Sequence, residues 1–177
     1  MKRRTRALWL LGAFLVAGVW LQNRFGTVAR VRRLWPRISF AAARAGVDPH
    51  LLAALVHAES SGDPAAGREG GAVGLLQLTP AAARDAAGGK AVSPAELRRP
   101  ERSLELGAAY LAGLQARFGE ERLSLAAYRL GPTRIAREVE AAGGPDPFLR
   151  RFAEHPAAVY VARVRGLKRL YRQLEGE

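Results

Sequence analysis

The sequence contains no cysteine. That removes disulfides, thiolate nucleophiles and zinc ribbons together, so the fold must rest on packing alone and any catalysis on other groups. Acidic residues are missing from the first 37 positions, which carry nine Lys/Arg. The rest of the chain holds 19 basic against 16 acidic residues, so only +3 of the formal +12 belongs to the part able to fold. There the charges are interspersed, with nothing longer than pairs such as Arg98-Arg99 and Arg150-Arg151. No stripe able to track phosphates forms, and the chain is read as binding no nucleic acid. Internal repeats and low-complexity tracts are also missing. The three histidines, His50, His57 and His155, lack metal-ligand spacing with acids, and His57-Ala58-Glu59 is not a two-His helical zinc motif. Neither a metal nor a cofactor is expected.

What is present fits one domain and an appendage: 177 residues, 49% of them hydrophobic, suffice for a real core but not for a second full domain. Lys2, Arg3, Arg4 and Arg6 precede an uncharged apolar run from Ala7 to Leu21, the layout of a signal peptide or signal anchor over residues 1–22. Fifteen residues at about 1.5 Å each reach roughly 22 Å, short of a bilayer core of about 30 Å unless the flanks extend the span. Val19 stands where a lipid-bearing cysteine would follow Leu15-Val16-Ala17-Gly18, which excludes lipidation. Residues 23–37 form a basic segment with Val28, Val31, Leu34 and Trp35 at helical spacing, either lying on an anionic membrane surface or serving as a solvated linker.

From Ile38 onward long periodic apolar stretches, jointed by Pro and Gly, predict an almost entirely α-helical domain over 38–177. Helices are expected over Pro36–Ala45, Pro49–Ser60, Pro80–Ala87, Ser103–Phe118, Glu121–Leu130, Pro132–Ala142 and Pro156–Leu174. Tyr110 and Phe118 are read as core.

One carboxylate stands out. Asp48-Pro49 is a helix start in which the carboxylate caps free backbone donors and proline takes the first turn. Leu52, Leu55, Val56 and Glu59 then fall at i, i+3, i+4 and i+7, which puts Glu59 on the face that turns inward. Burial and the negative end of the helix dipole both disfavour its ionised form, and a carboxyl kept protonated near neutral pH is what protonation of a glycosidic oxygen requires. The alternative is a half-exposed glutamate at a fraying helix end. A glycine-rich stretch, Gly67, Gly70, Gly71 and Gly74, leads into Leu75-Leu76-Gln77-Leu78-Thr79-Pro80. Gln77 either hydrogen-bonds sugar hydroxyls and acetamido groups or is a loop glutamine in solvent.

Several segments together resemble the lytic transglycosylases of the soluble type, whose catalytic domain has the goose-type lysozyme-like fold. They are Glu59-Ser60, the stretch Gly71 to Pro80, Glu105-Leu106-Gly107-Ala108-Ala109-Tyr110-Leu111, Leu125-Ala126-Ala127-Tyr128 with Gly131-Pro132, and Tyr160-Val161 before Val164. The resemblance runs in order over nearly all of residues 38–174. It implies a peptidoglycan-cleaving enzyme with Glu59 as general acid then base, Ser60 supporting it, Gln77 lining the sugar cleft, and Tyr128 and Tyr160 beside it. The implied reaction cuts between N-acetylmuramic acid and N-acetylglucosamine, with the muramoyl C6 hydroxyl attacking to leave a 1,6-anhydro end. A muramidase-type hydrolase and a non-catalytic peptidoglycan-binding scaffold are the alternatives. The family usually has Ala-Tyr-Asn-x-Gly where this chain has Ala127-Tyr128-Arg129-Leu130-Gly131. Arg129 either pairs with an anionic substrate group or points to solvent and makes no interaction in place of the asparagine's. Peptidoglycan as substrate implies the cell envelope, at the periplasmic or extracytoplasmic face, with the N-terminal segment anchoring the protein in the inner membrane or exporting it.

Overall fold

The computed structural model describes residues 26–68 and 70–176. The apolar run Ala7–Leu21, expected to be a signal or anchor helix, and Glu69 lie outside the described residues. Residues 26–33 are helical (α1), followed by α2 (Trp35–Ala45), α3 (Pro49–Ser60), α4 (Pro80–Ala86), α5 (Pro94–Leu97), α6 (Pro100–Phe118), α7 (Glu121–Leu130), α8 (Pro132–Ala141), α9 (Pro145–Arg150), a 3₁₀ turn (Phe152–Glu154) and α10 (Ala158–Leu174). No strand forms among the described residues; two isolated antiparallel bridges tie Gly67 to Val73 and Val73 to Leu78.

The helix starts follow from local chemistry. Proline occupies the first turn of α2, α3, α4, α5, α6, α8 and α9, where its missing N–H costs nothing. Asp48 Oδ1 accepts from the backbone N–H of His50 (2.8 Å) and Leu51 (3.3 Å) at the head of α3, and Thr79 caps α4 through Ala82 N–H. Ser93 and Glu96 close a capping box on α5.

Helix α3 is the axis of the packing. Leu51, Leu52, Ala53, Ala54, Leu55 and Val56 have no exposed surface, so the helix is buried all round rather than along one stripe. Helices α10 and α2 pack against it, α6 backs α2, α4 and α7, and α7 in turn touches α8 and α10. A charged knot crosses the head of α3: Lys168 reaches Asp48 (3.0 Å) and Glu121 (2.7 Å), Arg172 reaches Asp48 (3.2 Å) and Arg165 reaches Glu121 (3.2 Å). Burial acts to raise the Asp48 carboxyl, but Lys168 and the two backbone donors outweigh it and hold it below its ordinary value. Part-exposed ion pairs contribute about 0–1 kcal/mol each, whereas a buried Leu or Val contributes about 1.5–3, so apolar packing holds α10 in place and the knot sets its register.

Packing begins N-terminal to residue 38. Val31 is fully buried, Arg30 Nε donates to Ser61 O (3.0 Å), and Arg32 pairs with Glu175 (3.0 Å). The stretch expected to be a basic linker thus contributes helix and core contacts over 26–37.

Two glycines let the 67–78 loop press onto the helices. Gly74 has φ +83°, and a Cβ there would lie 2.1 Å from Leu97 O; a Cβ on Gly107 of α6 would lie 2.1 Å from Leu76 Cδ1. Leu76 is fully buried and has nowhere to go. Gly107→Ala should therefore overpack this contact and lower stability by about 1–3 kcal/mol, more than the helix-propensity gain of about 0.5–1 returns. Gly113, exposed on the same helix with nothing within 4 Å of its virtual Cβ, is the internal control. Urea denaturation should show Gly113→Ala slightly stabilised and Gly107→Ala destabilised; equal shifts in the two variants would refute the close-packing argument.

Candidate active site

Helix α3 carries its carboxylate out of the core at the last turn. The helix stops because Ser61 adopts a left-handed conformation (φ 56°). The Ser60 hydroxyl donates to Val56 O (3.0 Å) and accepts from Gly62 N–H (3.2 Å), so it satisfies backbone groups at the helix end. Its support for Glu59 is thus mechanical: it finishes the turn on which the carboxylate sits.

Glu59 is half-buried. The Tyr160 hydroxyl, in the first turn of α10, donates to Glu59 Oε1 at 2.5 Å. Above the Tyr160 ring stands the guanidinium of Arg129, at the end of α7, with Cζ 5.4 Å from the ring centroid. Burial is the largest influence on the Glu59 carboxyl and pushes its pKa up; the Tyr160 hydrogen bond and the charges of Arg129 and Arg163 oppose it, and burial prevails. Tyr160 is pushed far up by burial and by the neighbouring carboxylate, and so stays a proton donor to it. Tyr128 sits deeper: its hydroxyl donates to Leu76 O (2.6 Å), its ring meets Tyr110 edge-on at 5.5 Å, and burial followed by the Glu59 charge raises its pKa. Tyr128 thereby fixes the 67–78 loop to α7 beside the acid.

Gln77 occupies that loop in a left-handed conformation (φ 46°), unusual for a residue with a side chain. Its Nε2 donates to Gly74 O (2.9 Å), while Val73 and Leu78 exchange backbone bonds of 3.1 and 3.2 Å around it. One amide hydrogen and the amide oxygen are left for other partners.

The structure brings Glu59, Tyr128, Arg129 and Tyr160 together from three helices. The hydrogen bonds of Ser60 and Gln77 go to backbone of their own segments. Sequence reasoning missed Arg163, which follows Tyr160 by three positions on α10 and therefore shares its face; the i, i+3 spacing was the available signal. A groove of about 820 Å³ between α2 and α6, lined by Phe40, Arg44, Glu101 and Glu105 among others, contains none of these residues.

Comparisons with known proteins bear on the chain's family and fold. The endo-type membrane-bound lytic murein transglycosylase A of Klebsiella pneumoniae is 42% identical over an alignment covering 50% of this chain and 46% of that protein. The chain thus spans about half the length of the curated relatives it matches. An inactive mutant of the lytic transglycosylase Slt from Pseudomonas aeruginosa superposes with a TM-score of 0.67 at 26% identity, covering 78% of this chain and 24% of that one. A 70-kDa soluble lytic transglycosylase, solved in complex with bulgecin A, gives 0.69 at 25% identity over 80% of this chain and 24% of that one. Residues 36–149 match the family model described as Transglycosylase SLT domain, and the chain belongs to that family.

Proposed function

We propose that this chain is a peptidoglycan lytic transglycosylase that cleaves the β-1,4 bond between N-acetylmuramic acid and N-acetylglucosamine and leaves 1,6-anhydromuramoyl ends. The carrying observation is the raised carboxyl of Glu59, whose electrostatic partners among the described residues are Tyr160, Arg129 and Arg163, with no second carboxylate among them. Glycosidases that use water or a covalent intermediate rely on a pair of carboxylates flanking the bond. The nearby Asp63 accepts from Ala65 N–H (2.9 Å) in a turn, which suits a structural role. Relatives named as membrane-bound and endo-type murein transglycosylases support the same reading.

In this mechanism Tyr160 holds Oε1, leaving Oε2 to face the glycan. The protonated Glu59 gives its proton to the glycosidic oxygen as the bond from the muramoyl C1 breaks. The muramoyl C6 hydroxyl then attacks C1, and its proton returns to the Glu59 carboxylate, so the enzyme regenerates and no water is consumed. Tyr160 O–H stabilises the carboxylate between the two transfers. Gln77 is assigned to sugar hydroxyl or acetamido groups, Tyr128 to the shape of the cleft wall, and Ser60 to the support of the acid. The substrate places the protein at the extracytoplasmic face of the envelope, with residues 1–22 as anchor or export signal; among the described residues no helix is long and apolar enough to cross a membrane.

Glu59→Gln keeps shape and a hydrogen-bond acceptor for Tyr160 while removing proton transfer. It should bind glycan yet cleave purified sacculi at least about a hundredfold more slowly, because acid/base groups typically contribute about 10²–10⁴. Mass analysis should find wild-type products lighter by one water than hydrolytic ones. Reducing ends instead would mean a muramidase, and full activity of Glu59→Gln would sink the assignment.

A second consequence concerns stability. The folded-state pKa of Glu59 lies above its ordinary 4.5. Between the two values the folded protein keeps a proton that the unfolded chain has released, so Glu59 costs stability as pH rises through that window. Glu59→Gln should accordingly melt higher than wild type at pH 8, with the difference shrinking as pH falls toward about 4.5. A difference in Tm that is constant from pH 4 to 8 would contradict the raised pKa.

A further inference from the structure

We propose that Arg129 and Arg163 form a carboxylate-binding clamp beside Glu59, which selects glycan chains whose muramoyl units carry free carboxylates. For the identity of its ligand this clamp rests on the glycan-cleaving reading of the site.

The two guanidiniums come from different helices, α7 and α10, and both are exposed. Several arginines on or beside these helices are neutralised: Arg122 by Glu120 (3.0 Å), Arg134 by Glu138 (2.8 Å), Arg165 by Glu121 (3.2 Å) and Arg172 by Asp48 (3.2 Å). Arg137 and Arg169 have no ion pair among the described residues either, and what sets Arg129 and Arg163 apart is that their charges bear on Glu59. Among the described residues neither Arg129 nor Arg163 has an ion pair or a hydrogen bond, and both act on the same carboxyl, that of Glu59. Arg129 is also held in place, stacked over the ring of the tyrosine that binds the acid.

Two uncompensated cations next to a group that must hold a proton work against its chemistry, since each favours the ionised form. The conflict disappears when an anion docks between them. It cancels their field at Glu59, and the desolvated carboxyl keeps its proton while the substrate is in place. The guanidinium fork suits a carboxylate in particular, donating to both oxygens in one plane. In peptidoglycan two sources present that chemistry: the lactyl carboxylate of muramoyl units without peptide, and the carboxylates of stem peptides.

The test uses the full-length Glu59→Gln protein in mild detergent, so that no turnover occurs. Its equilibrium binding is measured to peptide-free glycan chains and to peptide-bearing chains, each compared with the same chains after conversion of carboxylates to primary amides. Amidation should weaken binding about ten- to hundredfold for at least one pair, and the pair affected names the source. Adding Arg129→Gln and Arg163→Gln should abolish the preference, while Arg150→Gln with Arg151→Gln, on α9 and the residue after it, should leave it intact. Equal binding of native and amidated chains overturns the clamp; so does a preference that survives loss of Arg129 and Arg163, or that falls equally with Arg150 and Arg151. If wild-type protein cleaves none of the chains, the glycan-cleaving reading fails, and the binding comparison still decides the clamp.

Discussion

Everything in the site depends on one constraint: α3 is buried on all sides from Leu51 to Val56 and, past that stretch, comes back into contact with solvent in its final turn. A helix gripped in that way has no freedom to rotate or slide, so the carboxylate at its end is aimed by the core rather than by its own surroundings. The same exit point supplies the partial desolvation that raises the acid's pKa. Aim and acidity thus have a single origin, the depth at which the helix emerges.

Against this rigid axis the other site residues are brought in by packing of α7 and α10. Tyr160 and Arg163 ride on α10, whose register is tied to the head of α3 through Lys168 and Arg172 on Asp48. Tyr128 and Arg129 close α7, and Tyr128 reaches across to Leu76 O, joining the glycine-rich loop to the bundle. The strained backbone of Gln77 is held by the paired bonds of Val73 and Leu78 on either side. Strain of about 1–3 kcal/mol persists only where surrounding structure over-determines it, as the Leu76 contact with Gly107 and the Tyr128 hydrogen bond do here.

Much of this was legible in the sequence, because proline and capping residues punctuate it. The boundaries of α3 and α7 coincide with those expected, and α2, α4, α8 and α10 differ by one or two residues. Helices α5 and α9 escaped notice because four and six residues are too few to show a 3.6-residue period; the Ser93/Glu96 capping box was the cue for the first. The apolar stripe through Leu52, Leu55 and Val56 identified the right helix but understated its burial, since Ala53 and Ala54 face neighbours too and alanine carries little periodic signal. Glu59 could be singled out from its position alone. The Tyr160 hydrogen bond could not, for no local pattern links residues 101 positions apart. Val31 belonged to the helical apolar spacing of residues 23–37, but the density of arginines around it left open what that face packs against, and in the structure it is buried.

That separation of 101 positions also sets an order of events during folding. Glu59 is in place as soon as α3 is packed, but its phenol partner and one of its two cations arrive only when α10 closes the longest loop in the site. Contacts of such high sequence separation form late, after local helix pairs have paid the entropy of collapse. A nascent or nicked chain lacking α10 would display the acid on an open helix end, without the hydroxyl that donates to it or the full burial that raises its pKa. Competence is thereby deferred until the whole domain has assembled.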